Sequence, residues 1–151
     1  MTIGRWNRRR AWVYAIRVLP ALSLGGCDAL TILIQPTTVT VLLVNNGSFP
    51  VDVDLFHSDV QDVPEFLLTE VGTEVNLTVE AGQTRTIVRD CDALQAIVID
   101  NAELRVLGGI GPEANTDVLR DGGDFGCGDV ITFTFSHTAA IVDFDVSTTV
   151  R

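Results

Sequence analysis

Carboxylates supply most of the chemistry this chain could perform. The run Asp121-Gly122-Gly123-Asp124-Phe125-Gly126-Cys127-Gly128-Asp129 places three of them on a glycine-rich loop. Calcium takes about six to eight hard oxygen ligands from flexible backbone, which makes Asp121, Asp124 and Asp129 the candidate ligands for that ion. The spacing matches neither an EF-hand nor a repeat-type calcium loop, and an acidic solubilising turn is the competing reading. A second, more diffuse group comprises Asp52, Asp54, Asp59 and Asp62 near His57. Nucleophilic catalysis requires a serine or cysteine beside a histidine oriented by an acid, and only His57 and His137 are available. Neither sits in a nucleophile-elbow motif, and His137 within Ser136-His137-Thr138 reads as a solvated turn residue. Zinc needs three or four ligands at recognisable spacing, which two separate histidines do not supply. No catalytic residue and no zinc site is assigned.

The elements that must position these groups are strands. From Thr37 onward the hydrophobic period is two, the mark of strands with one buried and one wet face. Val51-Asp52-Val53-Asp54-Leu55, Val75-Asn76-Leu77-Thr78-Val79, Ile131-Thr132-Phe133-Thr134-Phe135 and Val142-Asp143-Phe144-Asp145-Val146 all alternate. Alternation puts Asp52 and Asp54 on the wet face. Residues 39–44, 84–89, 96–99 and 103–107 are further candidates, rich in β-branched side chains, for about eight strands in all. Asn46-Gly47 suits a tight hairpin with positive φ, and Glu80-Ala81-Gly82-Gln83 and Gly108-Gly109-Ile110-Gly111-Pro112 mark other turns. One short helix fits between Val63 and Val71. The expected fold is all-β, an antiparallel sandwich over residues 37–151. Its short Thr- and Val-rich strands between glycine turns are similar in architecture to bacterial immunoglobulin-like envelope modules, a likeness that carries no function.

The N-terminal segment has a different composition. Arg5, Arg8, Arg9 and Arg10 precede an apolar stretch from Ala11 to Leu24, the order of parts in a secretory signal. The stretch has 14 residues, whereas a spanning helix needs about 20. Arg17 inside it departs from a clean signal. Leu24-Gly25-Gly26-Cys27 resembles the lipobox of bacterial lipoproteins: an aliphatic residue, two small residues, then cysteine. The resemblance covers those four residues and the leader before them. It implies removal of residues 1–26, a diacylglyceryl group on the Cys27 thiol, and residues 27–36 as lipidated N-terminus and tether. Asp28 resembles an inner-membrane retention signal of some enteric lipoproteins. Export would place Cys91 and Cys127 in an oxidising compartment, where they are expected to pair; two separate buried thiols are the alternative. A closed loop of about 37 residues would stabilise the fold by roughly 3–4 kcal/mol in the chain-entropy model.

Charge follows the same division. Five of the ten arginines precede Cys27, and the chain has no lysine. After Cys27 five arginines stand against 20 acidic residues, a net charge of −15. That field repels phosphate backbones and attracts cations and basic partners, which argues against nucleic-acid binding. The sequence therefore leads to a lipid-anchored envelope protein with a non-catalytic β-sandwich module that binds another envelope protein or coats the surface. A calcium-dependent binding module is the alternative reading, and an envelope enzyme a third.

Overall fold

The computed structural model describes residues 36–106, 111–137 and 143–151. The leader, Cys27 and its tether up to residue 35 lie outside the described residues. A compact unit spans Pro36–Arg151. It contains β1 (Thr38–Asn45), β2 (Val51–Ser58), helix α1 (Glu65–Val71), β3 (Thr73–Val79), β4 (Thr84–Asp90), β5 (Ala96–Leu104), β6 (Glu113–Ala114), β7 (Leu119–Arg120), β8 (Val130–Ser136) and β9 (Asp145–Val150).

Two sheets form the sandwich. One has the order β4-β1-β8-β9; the other runs β3-β2-β5-β6, with β7 also pairing with β5. Alternation decides what lies between them. Val39, Val41 and Leu43 of β1, Val51, Val53 and Leu55 of β2, Ile97, Ile99 and Leu104 of β5, and Ile131, Phe133 and Phe135 of β8 belong to one buried cluster. The central strands of both sheets thus supply the core. Each fully buried side chain of this size contributes about 1.5–3 kcal/mol.

Three expectations change in detail. The sheets are not wholly antiparallel, because β1 runs parallel to β8. No tight turn joins those two strands; the intervening chain passes through the other sheet, which frees their relative direction. Asn46-Gly47 does not close a hairpin: β1 and β2 lie in different sheets, and Gly47 is not among the positive-φ glycines. Asn45 explains the turn instead. Buried at 1% exposure, its Nδ2 donates to the carbonyls of Phe49 (2.8 Å) and Val79 (2.9 Å). Its Oδ1 accepts from the Gly47 N–H at 2.8 Å, folding the chain over from one sheet to the other. The last strand is β9, Asp145–Val150, rather than residues 142–146. Val146 keeps its expected face, since Phe144 and Val146 both pack against the core.

Where α1 covers the second sheet, that sheet is buried on both faces. Leu68 and Val63 pack on Phe56, Ala96 and Val98 in a small satellite cluster. The helix is short and Leu68 is its one buried residue. Its other apolar side chains face outward: Phe66 is 74% and Val71 67% exposed.

Candidate functional site

The expected strands 96–99 and 103–107 are one strand, β5, broken in phase by a bulge. Pairing with β2 passes from Asp54 opposite Asn101 to Leu55 opposite Ile99, which leaves Asp100 without a partner across the ladder. An extra residue flips the alternation and re-aims its own side chain. Ile97 and Ile99 point into the core before the bulge, Ala102 and Leu104 after it, and Asp100 is exposed.

On the other side of β5 the ladder also lapses. β6 pairs at Ala102 and Glu103, and β7 at Ala96 and Ile97. Between them the chain arches away, held by Thr116, whose N–H donates to Ile99 O (3.0 Å) and whose Oγ1 accepts from Ile99 N–H (3.1 Å). The arch leaves a cleft of about 400 Å³ lined by Glu65, Phe66, Thr69, Val98, Ile99, Asp100, Asn115 and Thr116. Two smaller clefts share its Asn115 wall, one reaching Asp117, Val146 and Thr148 and the other Asn101 and Glu113. Among the described residues no arginine lines any of the three. The carboxylates of Glu65 and Asp100 have no hydrogen-bond or ion-pair partner among the described residues. The hollow therefore combines an exposed aromatic ring, free carboxylates and the exposed amide of Asn115.

The sequence-predicted residues lie elsewhere. Cys91 and Cys127 form a disulfide with Cα atoms 5.4 Å apart. It joins the ends of chain on either side of β1: the Cys91 N–H donates to Thr37 O (2.9 Å), and the Gly128 N–H to Thr38 O (3.1 Å). Gly128 has φ +97°, and a Cβ there would meet Pro36 Cγ at 2.4 Å, so a side chain is excluded at this close approach.

Asp121, Asp124 and Asp129 share the disulfide loop but do not converge. Asp124 Oδ2 accepts the Arg120 N–H (2.8 Å), and Asp129 Oδ2 accepts the Gly126 N–H (2.8 Å). These are local turn contacts that anchor the loop around the buried Phe125. Among the described residues no group of three or more His, Cys, Asp or Glu side chains is placed to hold a metal ion.

Of the second acidic group, Asp52 accepts from Thr78 Oγ1 (2.6 Å) and from Arg105 Nε (3.0 Å) on the wet face. His57 is 7% exposed, and its Nε2 accepts from Arg89 Nε at 3.4 Å. Loss of solvation, then the Arg89 charge, lowers its pKa below the ordinary value. His137 holds the Asn46–Ser48 turn, accepting the Ser48 N–H on Nε2 at 2.9 Å.

Asp100, Phe66 and Asn115 were not anticipated from sequence. A signal was there for Asp100: apolar residues fall at 97 and 99 and then at 102 and 104, a one-residue slip that marks a bulge. Nothing comparable marks Phe66, whose helix reads as partly apolar on every face.

No protein-family model matches the chain, and no curated protein matches it. Several solved structures align with it at low identity. The membrane-binding domain of pneumolysin aligns at 12% identity and a TM-score of 0.48, over 76% of this chain and 97% of that one. A protein from Eubacterium rectale aligns at 15% identity and a TM-score of 0.41, over 74% and 87%. A Gram-negative toxin aligns at 11% identity and a TM-score of 0.43, over 76% of this chain and 23% of that one. Among the described residues no helix is long and apolar enough to cross a membrane.

Proposed function

We propose that the protein is a lipid-anchored envelope lipoprotein whose β-sandwich is a non-catalytic module for binding a protein partner. The observation that carries this reading is the order basic segment, apolar stretch, Leu24-Gly25-Gly26-Cys27, followed after a short tether by a folded unit that begins at Pro36. The acyl chains expected on Cys27 each bury many methylenes, at about 0.8 kcal/mol apiece, enough together for stable membrane attachment. The Cys91–Cys127 disulfide supports an exported, oxidising location. A net charge of −15 after Cys27 favours a basic partner over nucleic acid.

The test is expression in a bacterium with labelled fatty acid. The native protein should incorporate label and fractionate with membranes, and Cys27→Ser should do neither. Equal labelling and equal fractionation of the two would overturn the reading.

A further inference from the structure

We propose that the cleft beside the β5 bulge is the docking site for a segment of a partner protein that carries basic and apolar side chains. This deepens the reading of a binding module by giving its site and the chemistry of what it binds.

The apolar component comes from Phe66. An aromatic ring that is 74% exposed on a helix with only one buried residue contributes almost nothing to the fold. It stands on the wall of the cleft, where Val98 is also among the lining residues. An apolar side chain entering there would cover the ring and leave little else to displace.

The charge comes from Glu65 and Asp100. Neither carboxylate has a partner among the described residues, and Asp100 reaches the cleft because the bulge turns it out of the ladder. Asp117 and Glu113 extend the same sign along the adjoining clefts. With no arginine on any wall among the described residues, a carboxylate or phosphate would meet uncompensated repulsion, whereas guanidinium or ammonium groups would be paired on entering. Between β6 and β7 the N–H and carbonyl of Ile99 are both taken by Thr116, so the partner segment is held by side-chain contacts rather than by an added strand pairing. Asn115, exposed and central to all three clefts, supplies an amide for such a segment.

The experiment uses the full-length protein in detergent micelles, titrated with a short capped peptide alternating arginine and leucine. Salt at about 0.15 M restricts the diffuse field to roughly 8 Å. The expected result is saturable one-site binding, weakened about threefold to fivefold by Asp100→Asn and on the order of tenfold by Phe66→Ser. Glu80→Gln, which removes an equal charge at the exposed β3–β4 turn, should leave it unchanged. Both altered cleft residues are exposed, and near-ultraviolet circular dichroism checks that each variant is folded. If Phe66→Ser is not, Asn115→Arg, which places a cation in the cleft, should abolish binding instead.

Equal weakening by Glu80→Gln and Asp100→Asn would overturn the site in favour of diffuse attraction. Equal binding of a glutamine–leucine peptide would overturn the assigned charge. Absence of saturable binding, in a protein whose Cys27→Ser form has lost its membrane attachment, would remove the cleft and leave the envelope reading intact. Cleft-dependent binding in a protein that carries no lipid would do the reverse.

Discussion

Protonating His57 would bring a second cation beside Arg89 in a place from which water has been largely excluded. The folded state holds its pKa below the ordinary value of about 6.5, through burial first and the Arg89 charge second, with a backbone hydrogen bond at Ala93 and then the Asp59 charge opposing. The unfolded chain therefore binds the proton more readily. Stability from this residue is fully present above about pH 6.5 and is lost as pH falls through the window down to the folded-state pKa. Urea titrations at pH 7.5 and 5.5 should show the native protein losing stability on the acid side and His57→Gln losing less; identical losses would contradict the assignment. The aspartates of the disulfide loop permit a second prediction at this scale. Asp124 and Asp129 are occupied with the N–H groups of Arg120 and Gly126. Calcium should therefore raise the melting temperature only through the overall field, and Asp124→Asn and the distant Asp145→Asn should respond alike at about 0.15 M salt. A saturable response lost only in Asp124→Asn would restore the loop as a cation site.

The strands show where sequence legibility ends. Alternation located β2, β3 and β8, because a strand with one wet face writes its period into the chain, and β-branched composition marked β1 and β4. β5 was divided into two strands because its bulge shifts the phase at Asp100, and a shift within one strand looks like a gap between two. Asn46-Gly47 was misread because turn chemistry is local, whereas the choice between a hairpin and a crossing to the other sheet rests on Asn45 reaching Val79, 34 residues away. The parallel pairing of β1 with β8 is equally non-local and leaves no local mark. The cleft depends on the bulge, the arch at Thr116 and the helix together, so none of its residues stood out singly. The cysteines were legible because their pairing was expected from number rather than from geometry. Their disulfide spans the ends of chain on both sides of β1, and opening it should cost about 3–4 kcal/mol. Calorimetry of the Cys91→Ser, Cys127→Ser double variant should show a lowered melting temperature, with hydrogen exchange rising first at residues 38–41; an unchanged melting temperature would contradict this.

At the scale of the molecule, two features divide the work: an arginine-rich apolar leader ending in Cys27, and an acidic sandwich that begins at Pro36. The sandwich is self-sufficient, with a core drawn from both sheets and a staple at the end where the tether joins. Anchoring would confine its −15 charge and its cleft to a surface, raising the effective concentration of both for a basic partner held on the same membrane. Everything in that account rests on the chemical state of Cys27. Mass spectrometry of the N-terminal peptide from protein purified out of bacterial membranes measures it directly. The account predicts a peptide that begins at Cys27 and carries the mass of a diacylglyceryl group; a peptide that retains the Arg-rich leader, or begins at Cys27 with an unmodified thiol, would contradict it.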